Sequence, residues 1–206
     1  MKKFFRYIAK KVFKEDYDLQ FVDSTDIAVC RNRNVTGGYK RFWNNINKWF
    51  KASKNEYFTG IKHHMFLNKE GHPVNFGISK ASVPDLNASK KIKTKEKGIT
   101  YVNDKAYIDE DYNQKLQSKY NQQIITPTKS NQKVKNSKYA KKLLKERQKS
   151  ENGFSVMKEF INFGAKECKN FYGLIKTITL KTLSFSFLTW VNKVLNRPLF
   201  SYLHLV

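Results

Sequence analysis

Leu19-Gln20-Phe21-Val22-Asp23-Ser24-Thr25 is the stretch on which the fold turns. Its residues are those of a β-strand, and the two-residue period places Leu19, Phe21 and Asp23 on one face. An acid therefore closes an otherwise apolar face. A second stretch repeats the pattern: Gly98-Ile99-Thr100-Tyr101-Val102-Asn103-Asp104 reads as a strand that again ends in aspartate. Behind it, Glu110 to Tyr120 is polar but helix-compatible. Gln122-Gln123-Ile124-Ile125-Thr126 then forms a short strand closed by Pro127. Strand, helix, strand is a βαβ unit, which places the chain in the α/β class.

Between the two acid-bearing strands, Tyr57 to Leu67 and His72 to Ser79 read as a hairpin around Asn68-Lys69-Glu70-Gly71, with the glycine placed for a positive φ. Both acid-bearing strands read as central. A buried carboxylate without a partner is costly, so Asp23 and Asp104 each need a cation, a donor or a metal. If parallel neighbours present them at their carboxyl ends, the two converge in the usual ligand crevice. Two hard oxygen ligands side by side suit Mg²⁺ or Mn²⁺. A third carboxylate from a helix completes such a site, the candidates being Glu146, Glu151 and Glu159. Of these, Glu151 lies four residues after Arg147 and shares its helix face.

The composition agrees with a folded protein that meets a polyanion. Forty Lys and Arg stand against 17 Asp and Glu, a formal charge of +23, while 40% of the residues are hydrophobic and 15% aromatic. That apolar content excludes disorder throughout, and 206 residues suffice to bury one core. Each cation set on a phosphate releases a counterion, so DNA, RNA or an anionic membrane surface fits the charge. Cys30 and Cys168 match no metal-ligand spacing, which favours a reducing cytoplasm. Lys10, Lys11 and Lys14 interrupt any signal-peptide core, and Lys176 and Lys181 fall inside the best transmembrane candidate, Phe171 to Val191. Secretion and a membrane span are set aside in favour of an amphipathic helix.

Around this centre lie basic and aromatic segments. Met1 to Asp16 reads as a short basic helix with Phe4, Ile8 and Val12 at helical spacing. From about 31 to 56, aromatics and cations interleave, which predicts an insertion outside the core. Within it Trp43 and Trp49 are candidates for stacking on bases, against the commoner role of packing on the sheet. Asp26 reads as a turn residue. Thr128 to Ser150 is the most basic stretch, with Lys129, Lys133 and Lys135 in a loop of about 128–140 that suits phosphate tracking. A helix follows from about Tyr139 to Phe163, ended by Gly164. The last helix, Leu174 to Leu195, offers Leu174, Ile178, Leu183, Phe187, Trp190, Val191 and Val194 for packing.

In order and spacing these motifs resemble the DDE transposases of bacterial insertion sequences, in particular the insertion-sequence-982 group. Val22-Asp23-Ser24-Thr25 with Val29-Cys30 is similar to the first motif of that family. Tyr57 to His64 and Asn68 to Gly71 resemble its hairpin, with a Gly-x-Lys-x-His strand ahead of the turn. Ser82-Val83-Pro84-Asp85 stands for an Asn-Val-x-Asp segment, and Asp104-Lys105-Ala106-Tyr107-Ile108 for Asp-Lys-Gly-Tyr-Ile. Arg147 to Glu151 stands for an Arg-x-x-x-Glu helix. The resemblance covers roughly Leu19 to Trp190.

It implies a ribonuclease-H-like fold, a mixed sheet flanked by helices. A catalytic domain would span 18–165, with a basic insertion before it closes and a C-terminal helical segment at 166–206. It implies that Asp23, Asp104 and Glu151 are catalytic and hold two divalent ions, Mg²⁺ or Mn²⁺. Such a pair cleaves and joins phosphodiester bonds by in-line displacement. Lys62, Lys105 and Arg147 are placed to offset the charge that grows on the phosphoryl group.

The partners implied are DNA, as transposon ends and as target, and further copies of the chain in a homo-oligomer on DNA, with no membrane. The location implied is the bacterial cytoplasm, at the nucleoid. Relatives carry a large helical region ahead of the first acid, and 22 residues precede Asp23, so the resemblance implies that 1–17 is the remnant of a shortened N-terminus. Asn103, Ala106 and Lys80-Ala81-Ser82 depart from the pattern beside the expected site. The reading from another class is a non-catalytic basic DNA- or RNA-binding protein whose strand-end acids are structural. Zinc is disfavoured, because His63 and His64 point to opposite strand faces and His72 has no partner at ligand spacing.

Overall fold

The structure is a computed structural model that describes residues 7–12, 17–31, 46–51, 55–93, 95–128, 135–147, 151–153, 155–156 and 170–201. Six strands form one sheet: β1 (Leu19–Arg31), β2 (Asn47–Lys51), β3 (Glu56–Asn68), β4 (Pro73–Lys80), β5 (Thr100–Val102) and β6 (Gln123–Ile125). β1, β5 and β6 run parallel; β3 is antiparallel to β1, β2 and β4. The order is β2-β3-β1-β5-β6, with β4 also on β3, so β1 lies in the middle of a mixed sheet. β2 and β4 share one edge of β3: the first pairs with Glu56 to Gly60, the second with Ile61 to Leu67.

Among the described residues, α1 (Asp85–Ile92), α2 (Glu110–Tyr120), α3 (Lys138–Glu146) and α4 (Phe171–Val194) flank the sheet. On one face Val22, Phe66, Val74, Ile92, Ile99, Tyr101 and Tyr107 form a buried cluster beneath α1. On the other, Phe21 and Val102 meet Leu143 of α3, while Met65 and Leu67 meet Phe185 of α4. The alternation of Phe21 and Val22 between these clusters is the strand period at work.

The hairpin stands as expected, with Gly71 at φ +93° in its turn. Other readings are corrected. β1 does not stop at Asp23 but continues to Arg31, and Asp26 is a strand residue opposite Lys62. The polar stretch after β4 contains α1, whose Ala88 and Ile92 are buried one turn apart. Within the expected insertion, the described residues Asn47–Lys51 form an edge strand. Of the first helix, Ile8–Val12 is a π-helical turn that buries Ala9 and exposes Val12. The long helix expected to Phe163 is α3 plus helical residues at 151–153 and 155–156.

α4 is rotated from its expected face. Leu174 and Ile178 are buried, but so are Thr182, Phe185, Ser186, Thr189 and Asn192, whereas Phe187 and Val194 are exposed. Polar groups on the inner face explain the rotation. The Thr182 hydroxyl donates to the Ile178 carbonyl at 2.8 Å, and Asn192 Nδ2 donates to the carbonyls of Leu199 and Ser201 at 3.0 and 3.1 Å. Among the described residues no helix is long and apolar enough to cross a membrane.

Candidate functional site

The parallel pairing of β1 with β5 aligns the two aspartates. Phe21 stands opposite Val102, so two residues further along each chain Asp23 faces the position of Asp104. β5 ends at Val102, and Asp104 caps the 3₁₀ turn Lys105–Tyr107, its Oδ1 accepting the Lys105 N–H at 2.6 Å. Asp104 is thus an N-cap, and the residue remains exposed at the strand's carboxyl end. Asp23 stays within β1, with Oδ1 accepting the Ser24 N–H at 2.8 Å.

α3 brings the third group. Its Leu143 packs on Phe21 and Val102, the residues two positions before the acids. Four helical residues advance about 6 Å, close to the advance of two strand residues. One turn after Leu143, Arg147 accordingly reaches Asp23, Nη1 to Oδ2 at 3.8 Å, and Nη2 donates to Glu151 Oε1 at 2.8 Å. Glu151 is held close to the sheet because Gly153, buried two residues on, leaves no room for a Cβ: one would fall 2.9 Å from Leu67 Cδ1.

Burial, first of all, pushes the Asp23 carboxyl up to about 6; Glu151 and Asp104 push the same way, against the Ser24 amide and the Arg147 guanidinium. Both other acids are thus near enough to act on Asp23. They do not close into a cluster: among the described residues no three His, Cys, Asp or Glu side chains stand together as ligands of one ion. Arg147 instead spans Asp23 and Glu151. The donor set still fits a hard divalent cation, since the carboxylates of Asp104 and Glu151 add to the cost of ionising Asp23 and a positive ion would relieve it. Such an ion would supply Lewis-acid activation of a phosphodiester.

The remaining predicted residues divide. Lys105 and Lys135 are exposed. Lys62 is turned inward, its ammonium donating to Asp85 Oδ1 at 3.1 Å and to the Val83 carbonyl at 3.2 Å, with Trp49 beside it at 5.8 Å. Trp49 lies on β2 and is 42% exposed. On the opposite face of the same strand Phe50 packs at a tilt against Tyr57, the ring centroids 5.0 Å apart, and Lys48 lies 4.6 Å from the Tyr57 ring. Lys129, Lys133 and Trp43 lie outside the described residues.

Two groups at the site were not singled out from the sequence. Asp85, at the start of α1, pairs with Lys62. Tyr107 is buried behind Asp104, and burial followed by Asp85, Asp23 and Asp104 raises its hydroxyl well above the usual tyrosine range. Both lie in motifs read from the sequence, Ser82 to Asp85 and Asp104 to Ile108, but as markers of order. Beside the turn, a crevice at the carboxyl ends of β5 and β6 is lined by Tyr107, Asp109, Asn113, Ile125, Thr126 and Asn136. Its amides are committed to the backbone: Asn113 Oδ1 accepts the Ile124 N–H at 2.9 Å, and Asn136 Nδ2 donates to the Thr126 carbonyl at 2.8 Å.

Residues 13–167 match a family model described as "Transposase DDE domain", three quarters of the sequence. No curated protein and no solved structure matches.

Proposed function

The chain belongs to the transposase DDE domain family, and from that premise we propose that it is the catalytic part of a metal-dependent DNA transposase. One observation carries the reading: Asp23 within β1 is near enough to Asp104, past β5, and Glu151, beyond α3, that each of them raises the cost of ionising it. Strand order supports a ribonuclease-H-like fold, with an antiparallel β4-β3-β1 half joined to a parallel β1-β5-β6 half. Asp23, Asp104 and Glu151 would hold two Mg²⁺ or Mn²⁺ ions. Lewis-acid activation of a water or 3′-hydroxyl, and of the leaving oxygen, is what those ions supply.

The protein's own groups do the rest. Exposed Lys105, next to Asp104, and Lys135 contact phosphates of the transposon end, as do Lys129 and Lys133, and Trp49 offers a stacking surface at the sheet edge. Arg147, already within reach of Asp23, offsets charge on the phosphoryl oxygens. Within this reading the chain is similar to the insertion-sequence-982 group, and several copies act together on paired ends.

Incubation of the full chain with labelled inverted-repeat DNA and Mg²⁺ or Mn²⁺ tests this. Wild type should produce nicked and joined strands, and Asp23→Asn, Asp104→Asn and Glu151→Gln should each lower the rate by at least about 10³-fold, while binding DNA as before. Undiminished cleavage in any one removes that residue from the site. The second reading, a basic nucleic-acid-binding protein without catalysis, is favoured by the Arg147 ion pairs, which satisfy Asp23 and Glu151 without metal. It predicts salt-sensitive binding and no cleavage.

A further inference from the structure

At the edge of the sheet the fold leaves a pair of aromatic rings in water. Phe50 of β2 stands opposite Tyr57 of β3, their ring centroids 5.0 Å apart and their planes tilted by 51°. The two side chains are 40% and 51% exposed. On the same face the Lys48 ammonium lies 4.6 Å from the Tyr57 ring. A cross-strand aromatic pair stabilises a sheet by mutual packing, yet about half of this one stays uncovered. A single exposed ring is ordinary, whereas a pair of rings beside a cation marks a contact surface.

Strand register fixes where the pair points. Tyr57, Ile61, His63 and Met65 alternate onto one face of β3, and Met65 stands opposite Asp23 of β1. The rings therefore lie on the sheet face that carries Asp23, about 27 Å from it at about 3.4 Å per strand residue. α4 covers the rows between: Leu174 and Ile178 cluster with Ile61, the Thr182 hydroxyl lies 3.3 Å from His63 Nε2, and Phe185 packs on Met65. That order sets the direction of α4, whose N-terminus opens toward the end of the sheet that bears the rings. Its first turn holds no acid, so the positive end of the helix dipole is unopposed within the helix. Glu56, next to Tyr57, alternates to the other face. Rings, an ammonium and a helix N-terminus thus occupy one end of one sheet face.

We propose that Phe50 and Tyr57 form a stacking platform for unpaired bases of a DNA strand, with Lys48 and the N-terminus of α4 drawing its phosphates. Every base has a π-face, so such a platform tolerates any sequence, and it does not engage a duplex, whose bases stack on one another. The charge beside the rings selects a polyanion with flat bases over an apolar protein surface. The proposal rests on DNA being the partner, as in the function proposed above. It adds a contact area remote from the acids and separate from Trp49, which lies on the other face of β2.

The full chain and its variants, without metal, are titrated by anisotropy against a labelled oligothymidine strand and a labelled mixed-sequence duplex, with melting followed by circular dichroism. Phe50→Leu and Tyr57→Leu should each bind the strand about tenfold more weakly and the duplex as wild type does. Tyr57→Phe, which keeps the ring, should match wild type on both. Lys48→Gln should lower the salt slope of strand binding by about 0.7. Unchanged strand affinity in Phe50→Leu overturns the proposal. So does an equal loss on the duplex, or a loss in Tyr57→Phe as large as that in Tyr57→Leu. Should Tyr57→Leu fail to fold, Phe50→Leu decides alone. The two readings fail differently: a wild type that binds the duplex, with strand affinity indifferent to Phe50→Leu, loses the platform only. A wild type that binds neither probe loses DNA as its partner, and the platform with it.

Discussion

Asp23 carries opposite demands before and after a cation binds. Its carboxyl is raised from 3.8 to about 6, so the folded chain holds that proton more tightly than the unfolded one. The stabilisation this gives is complete below about pH 3.8 and is lost as pH rises through about 6; above that, buried charge costs the fold on the order of 3 kcal/mol. Asp23→Asn should therefore raise the metal-free melting temperature at pH 7.5, with the advantage shrinking between pH 6 and pH 4 in a calorimetric series. Added Mn²⁺ should stabilise wild type and leave the variant unmoved. Below about pH 6, Mn²⁺ affinity should fall about tenfold per unit as a proton competes for the carboxylate. Asp23 and Asp104 were legible in the sequence because an acid on an apolar strand face is conspicuous. The inward turn of Lys62 was not, because its partner Asp85 lies 23 residues away and is brought near only by the β3–β4–α1 connection.

At the scale of elements, α3 sets the frame in which Arg147 meets Asp23. Ser137 caps it, accepting the Ala140 N–H at 3.1 Å, and Leu143 seats it on β1 and β5. Leu143→Ala should cost about 2–5 kcal/mol and Ser137→Ala about 1 kcal/mol in urea unfolding. A Leu143→Ala protein as stable as wild type would mean that α3 does not rest on the sheet. α1 carries few apolar positions among its polar residues, so no periodic stripe marks it in the sequence. Yet Lys93, which ends it, is buried beside the rings of Tyr101 and Tyr112 at 4.8 and 5.3 Å. Burial first, then Lys90, lowers that ammonium to about 7. The unfolded chain keeps its proton up to the ordinary lysine value, so stability falls as pH drops from about 10.5 to about 7 and then levels. Lys93→Met should thus stabilise at pH 7 and give little at pH 10, again read from melting curves. Gly60 marks a further limit: a Cβ there would overlap the Ile27 carbonyl oxygen beside the irregularity in β1 at Ala28 and Cys30. The glycine of the Gly-x-Lys-x-His motif is therefore a packing requirement.

Across the whole molecule, the hairpin and the βαβ unit were readable because turn glycine, closing proline and two-residue alternation are local signals. The mixed sheet that joins them was implied by resemblance, since strand order is set by distant pairings. The face of α4 was misread, because an inner row of Thr, Ser and Asn satisfied by carbonyls leaves no apolar stripe to follow. The charge of +23 suits a polyanionic partner such as the DNA of the proposed function. If about six phosphates are neutralised, metal-free affinity for DNA should drop about 10³-fold between 50 and 200 mM salt, measured by anisotropy. A flat salt response would deny the basic surface a role. The central claim, that Asp23, Asp104 and Glu151 form one metal site, is tested most directly by anomalous diffraction from crystals soaked in Mn²⁺. Two peaks about 4 Å apart, bounded by these three carboxylates with Arg147 displaced from Glu151, is the predicted result; no peak at Asp23 and Asp104, with Arg147 still spanning Asp23 and Glu151, would contradict it.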